Sequence, residues 1–203
     1  MRVDPEDAEV AALGAGGFLM RDGFLGEERA LAAAEAAAAL PGFRPAGISR
    51  AATRDPSVRG DELVWLDVAA APPPLAFLAA ALEAAGRELD AAAYLGLGRF
   101  DVQVARYAAG AAYQRHRDAF AGPASRILTL IYYANPGWRP ADGGFLRMHL
   151  PDGPVDVDPG LDRLVAFLAT RVEHEVLPAH APRLAVTAWF YGRNPLPFSA
   201  GTP

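Results

Sequence analysis

The sequence predicts a mainly β chain with N-terminal helices, an α+β arrangement in which helices buttress an antiparallel sandwich or barrel of the jelly-roll kind. Three observations predict it. The first half carries two helix-like segments around one strand-like run. The second half is a succession of short β-like runs rich in branched and aromatic residues. Turn signals (YAAGAA, FAGPAS, NPGWRPADGG, PDGP, DPGLD) separate those runs at the spacing of an antiparallel sheet.

FLGEERALAAAEAAAAL (24–40) reads as the first helix. It is rich in alanine, Glu27 and Glu28 complement the helix dipole near its start, and PGF stops it. Residues 44–61 carry arginine, glycine, proline and serine without an apolar period, which reads as a surface loop. ELVWLDV (62–68) reads as a strand. Pro72 to Pro74 open a second helix over 74–89, with Leu75, Leu78, Leu82 and Leu89 near helical spacing. FDVQVARY, RILTLIYY, GGFLRMHL, RLVAFLA, HEVLPA and RLAVTAWFYG follow as strands. The division is one domain over 1–203, with helical and loop support plus a substrate loop in 1–90 and the jelly-roll core in 98–192.

The chain has 203 residues, of which 52% are hydrophobic, enough for a core although much of that share is alanine. The formal net charge of −5 gives no global attraction to phosphate backbones and excludes general nucleic-acid binding. With no cysteine, disulfides and thiolate metal sites are excluded, so a metal would need histidine and carboxylate. The acidic N-terminus lacks the pattern of a signal peptide, and no uncharged run of about 18 apolar residues predicts a membrane span. A cytoplasmic setting is expected. The Ala-, Arg- and Pro-heavy composition suits a bacterial genome of high GC content.

In YQRHRDAF, His116 and Asp118 stand two positions apart, so an extended strand would point both the same way. A distant His174 adds a second imidazole. Two histidines and one carboxylate make the facial triad of non-haem Fe(II) oxygenases, which leaves positions open for co-substrate and dioxygen; the same donors also suit Zn²⁺ or Mn²⁺. In RLAVTAWFY, Arg183, Ala185, Thr187, Trp189 and Tyr191 share one strand face; in RILTLIYY, Ile127, Thr129, Ile131 and Tyr133 do. A guanidinium fork suits a carboxylate, so Arg183 and Tyr133 could hold the far end of a dicarboxylic acid whose other end chelates the metal, with Thr187 adding a hydrogen bond. Each of these residues alone has a bland alternative: a common HxD, a surface histidine, a solvated arginine, a packed strand tyrosine. The order HxD…H…R is what joins them. His149 and His180 fit no role and read as structural or surface residues.

VRGDELVWLD, ARYAAGAAYQRHRD, LTLIYYANPGW, GGFLRMHLPDG and DRLVAFLATRVEHEVLPAHAPRLAVTAWFYG together resemble the prolyl 4-hydroxylases among the 2-oxoglutarate/Fe(II) oxygenases. Within these the chain is most similar to the hypoxia-inducible-factor prolyl hydroxylases and their bacterial relatives. The resemblance implies a double-stranded β-helix. It implies Fe(II) bound by His116, Asp118 and His174. It implies 2-oxoglutarate held by Arg183 and Tyr133, with Thr187 in support and Tyr107 near the chelating end. O2 would be the oxidant and ascorbate a stimulant. Trp189, Trp65 and Arg126 would line the entry of the substrate proline, and Arg59 and Asp61 would close a mobile loop, 48–61, over the peptide. The implied reaction is C4 hydroxylation of a prolyl residue in a protein, with elongation factor Tu as a candidate, giving hydroxyproline, succinate and CO2. No membrane or nucleic-acid partner is implied.

The connections from Tyr107 to His116 and from Asp118 to Tyr133 look slightly shorter than in the animal enzymes, and the Pro-rich tail offers little of their C-terminal helix. Other readings are a hydroxylase of a free amino acid or peptide natural product, a non-catalytic sensor or binding module on the same fold, and a zinc hydrolase or isomerase. The long loop at 44–61 favours a polypeptide substrate.

Overall fold

Alternation with period two decides the architecture. Leu128, Leu130 and Tyr132 enter one apolar layer, while Ile131 and Tyr133, between and beyond them, enter another. Val186, Ala188 and Phe190 alternate in the same way with Arg183, Ala185, Thr187 and Trp189. A sheet buried on both faces must be covered on both. In this computed structural model, which describes residues 5–15, 17–47, 55–119 and 126–193, helices cover one face and a second sheet covers the other.

The elements in order are α1 (Pro5–Gly14), β1 (Phe18–Asp22), α2 (Glu27–Ala38), β2 (Arg44–Pro45), β3 (Glu62–Trp65), α3 (Pro73–Ala93), β4 (Leu97–Tyr107), β5 (Tyr113–His116), β6 (Arg126–Tyr133), β7 (Leu146–Leu150), β8 (Gly153–Val157), β9 (Arg163–Leu168), β10 (Glu173–Val176) and β11 (Arg183–Gly192). The larger sheet runs β1-β9-β6-β11-β4-β3-β2 and the smaller β5-β10-β7-β8, all pairs antiparallel. These are the two layers of a jelly roll. Leu75, Leu78, Leu82 and Leu89 of α3 form the expected stripe against the outer face of the larger sheet. Gly86 lets α3 approach closely, because a Cβ there would lie 2.2 Å from the Phe190 ring.

Several boundaries move. α3 runs beyond residue 89 to Ala93 and stops at Tyr94, which takes a left-handed φ of 52°. The strand expected over 62–68 ends at Trp65, because Asp67 accepts from Ala69 N and turns the chain into a short 3-10 segment. β7 starts at Leu146 rather than 143, since Gly143 and Gly144 both take positive φ. The expected loop 44–61 opens with the short β2, and its described end is strapped to β5; residues 48–54, like the tail 194–203, lie outside the described residues. α1, β1 and β8 were not foreseen. β1 owes its strand character to β9, a partner far along the chain that local pattern does not reveal, whereas β8 folds back in a tight hairpin on its immediate neighbour β7.

Asp162 ties the two halves together. Its carboxylate accepts from Leu25 N and Gly26 N, each at 2.8 Å, just before α2, and from the Tyr132 hydroxyl at 3.1 Å. Gly26 supplies no side-chain cap, so a carboxylate from far along the chain does that work. Asp162→Ala strands three donors and should lower unfolding stability by roughly 2–3 kcal/mol, which urea denaturation followed by circular dichroism measures.

Candidate active site

The register of β5 against β10 sets His116 opposite His174, with ring centroids 4.3 Å apart. β5 ends at His116, so Asp118 does not share an extended strand with it as the sequence suggested; it sits in a bend. The bend is what buries the carboxylate. Asp118 Oδ2 accepts from Thr129 Oγ1 and from Trp189 Nε1, each at 2.9 Å, and such donors lie on the larger sheet, out of reach of a straight β5. Asp118 Oδ1 lies 3.6 Å from His116 Nε2, and one potential ligand atom from each of His116, Asp118 and His174 falls within 4.8 Å of the others. Among the described residues they form one cluster suited to a metal.

Electrostatics keeps His174 and Asp118 in ligand form. Burial pulls His174 down to about 4, with Asp118 pulling the other way, so the imidazole is neutral at physiological pH. Burial alone would raise the Asp118 carboxyl, but His174, His116 and the indole N–H of Trp189 hold it well below the usual carboxylate range.

The cluster opens into a cavity of about 510 Å³ between the two sheets, lined also by Tyr107, Thr187, Trp189, Trp65, Arg126, Arg59 and Arg183. A larger cleft of about 840 Å³ lies beyond Tyr107 and Arg183 and holds none of the three metal-binding candidates. Arg183 is 3% exposed, its Nε donates to Gly144 O at 2.8 Å, and its Cζ lies 4.8 Å from the Tyr107 ring and 5.1 Å from the Tyr133 ring. No carboxylate of the described residues pairs with it, and the buried Tyr133 hydroxyl beside it has no hydrogen-bond partner. Burial pushes that phenol up to about 12, partly opposed by Arg183, and pushes the Tyr107 phenol up as well, so both remain donors. A buried cation without a counter-ion, next to an orphan phenol, is a cradle for an anion.

Two residues that position Arg183 were missed. Asn135 bonds Leu184 N at 2.6 Å, Leu184 O at 2.9 Å and Pro159 O at 2.7 Å, fixing the start of β11. Gly144, at φ +71°, leaves space that a Cβ would close to 2.8 Å from Arg183 Cδ. The sequence signals were slight: a polar residue closing a β run and a glycine pair opening one.

The remaining candidates spread around the opening. Trp65 is 51% exposed, with its ring 5.7 Å from that of the buried Trp189. Arg126 stacks over Trp189 at 3.6 Å and reaches Asp118 O at 3.4 Å. Asp61 anchors the end of the expected substrate loop. Its side chain is fully buried and holds Arg59 through two bonds of 2.7 and 3.0 Å. Arg59 in turn lies over the Tyr113 ring at 4.6 Å, and Tyr113 stacks on His116 at 3.7 Å. His149 bonds Glu175 at 3.0 Å and His180 reaches Ala141 O; neither belongs to the metal-binding cluster.

Comparison with known proteins agrees with this geometry. The 2OG-Fe(II) oxygenase superfamily matches residues 102–191. Human Egl nine homolog 1 is 32% identical over 153 residues, 71% of this chain and 35% of that protein. A prolyl-4-hydroxylase of Pseudomonas putida is 34% identical, with a TM-score of 0.83 over 94% of this chain and all of the other. The chain belongs to the 2OG-Fe(II) oxygenase superfamily, among its prolyl hydroxylases. A Trichoplax adhaerens prolyl hydroxylase, solved with a peptide from the oxygen degradation domain of hypoxia inducible factor, is 26% identical, with a TM-score of 0.84 over 92% of this chain and 88% of the other. The chain spans about a third of the length of human Egl nine homolog 1. The superfamily implies Fe(II), 2-oxoglutarate and O2, and the donor set and the anion cradle fit them.

Proposed function

We propose that this chain hydroxylates C4 of an exposed prolyl residue in a protein, consuming 2-oxoglutarate and O2 and releasing succinate and CO2. The observation that carries the reading is the convergence of His116, Asp118 and His174 in one cavity that also receives the unpaired cation of Arg183. His116, Asp118 and His174 would hold Fe(II). Arg183 and Tyr133 would receive the far carboxylate of 2-oxoglutarate, with Thr187 and Tyr107 beside it. When bound, the iron and co-substrate supply the oxidising chemistry that a side chain cannot. The chain's share is placement and dryness. The fork of Arg183 fixes one end of the co-substrate, buried phenols donate without ionising, and the paired sheets keep bulk water away from the carboxylate.

Trp65, Trp189 and Arg126 border the opening and would meet the substrate. The exposed indole of Trp65 suits the flat, apolar face of a proline ring. The enzyme from Trichoplax adhaerens, solved with a peptide, supports a polypeptide substrate over a free amino acid. Elongation factor Tu is our candidate target, on a bacterial origin suggested by composition.

The test is incubation with Fe(II), 2-oxoglutarate and bacterial lysate, followed by mass spectrometry of tryptic peptides. The reading expects one added oxygen on specific prolines, lost when 2-oxoglutarate is omitted. Oxygen added only to free amino acids or small peptides would replace the protein substrate with the small-molecule alternative.

A further inference from the structure

We propose that Thr129 and Trp189 are positioning residues that decide which oxygen of Asp118 a metal takes, an inference that rests on His116, Asp118 and His174 being the iron ligands. Thr129 of β6 and Trp189 of β11 are direct cross-strand partners. Their side chains leave the sheet on the cavity side and meet on one atom, Asp118 Oδ2, each donating at 2.9 Å. Oδ1 receives neither donor; it faces His116 Nε2 at 3.6 Å and Arg126 Nη1 at 4.0 Å, while Oδ2 lies 3.9 Å from His174 Nε2.

A carboxylate oxygen offers two lone-pair sites, and here two donors occupy both on Oδ2. All three residues are buried, at 0%, 5% and 6% exposure for Thr129, Trp189 and Asp118, so water does not replace a donor that lets go. Chelation through both oxygens would sacrifice both bonds. With Oδ2 committed to these two donors, Oδ1 is the oxygen left to serve as a ligand, and it would be the one to hold a metal. The indole is itself held in place, between Arg126 at 3.6 Å and the Trp65 ring at 5.7 Å. Trp189 thus does more than line the opening: one edge holds the ligand while its face borders the substrate space. Donors that orient a ligating carboxylate from outside the metal sphere are worth about 10–100-fold in metal affinity.

The test compares Thr129→Val, Trp189→Phe, the double variant and Thr129→Ser, each titrated anaerobically with Fe(II) against a chromophoric chelator. 2-Oxoglutarate binding to the Mn(II)-loaded proteins is then measured by calorimetry. Thr129→Val and Trp189→Phe should each weaken Fe(II) binding roughly tenfold, the double variant up to about 100-fold, and 2-oxoglutarate binding should fall with them. Thr129→Ser, which keeps the hydroxyl, should restore wild-type values, an outcome a mere packing role for Thr129 would not give. Equal Fe(II) and 2-oxoglutarate binding in wild type and Thr129→Val would overturn the proposal. Should the tryptophan variants not fold, the contrast between valine and serine at 129 still decides. No peptide enters the assay, so a wild type that binds iron but hydroxylates no protein sinks the functional reading and leaves this one standing. A wild type that binds no Fe(II) sinks both.

Discussion

Asp118→Ala and His174→Ala should each abolish 2-oxoglutarate-dependent succinate formation. The two residues reach the same point by different routes, one from a bend after β5 and one from the middle of β10, and nothing else among the described residues offers a replacement donor there. Asp118→Ala has a second cost. It strands the Thr129 hydroxyl and the Trp189 indole N–H in a dry interior, about 1–3 kcal/mol for each lost partner. His174→Ala leaves the β10 ladder intact, because cross-strand bonds to β5 and β7 are made by backbone. His174→Ala is thus the cleaner probe, and circular dichroism should show it folded while Fe(II) binding is lost. Turnover at the wild-type level in either variant would remove these residues from the mechanism.

Arg183→Ala should raise the 2-oxoglutarate requirement by roughly 100-fold, equivalent to about 3 kcal/mol, and leave Fe(II) affinity close to wild type. The guanidinium is buried, pinned by Gly144 O and flanked by the Tyr107 and Tyr133 rings, so its fork is oriented before the co-substrate arrives. Arg183→Lys should fall between the two, since an ammonium keeps the charge but loses the planar fork. Steady-state titration of 2-oxoglutarate at saturating iron measures this. A tighter requirement in the alanine variant, or an equal loss of iron, would place the arginine elsewhere in the chemistry.

The strands facing both layers were legible because their side chains alternate over most of their length; the alternation breaks at the irregularity after Phe190 and at Ile127, which packs in the same layer as Leu128. RLAVTAWFYG spans β11 with no change of boundary, and RILTLIYY spans β6. The same alternation put Arg183, Thr187 and Trp189 on one face before any coordinates. β1 and the bend at Asp118 were not legible, because each is decided by what lies across space; β8 closes a local hairpin on β7, but its mostly exposed run GPVDV carries no apolar pattern. For the bend the deciding partners are Thr129 and Trp189, which sit 60 residues apart in sequence and side by side in the sheet. The burial of Asp61 was illegible for a related reason: it comes from the ion pair with Arg59, which the sequence does not announce. Asn135 and Gly144 were overlooked because a backbone-bonding amide and a clearance glycine look ordinary until the side chain they serve is placed.

The most direct measurement is an anaerobic crystal structure grown with Mn(II), as an oxygen-stable stand-in for Fe(II), and 2-oxoglutarate, read by its anomalous signal. The account predicts one ion touched by His116, Asp118 through Oδ1, and His174, with the distal carboxylate of 2-oxoglutarate on Arg183 and Tyr133. An ion bound elsewhere, or a co-substrate whose far carboxylate leaves Arg183 untouched, would contradict it.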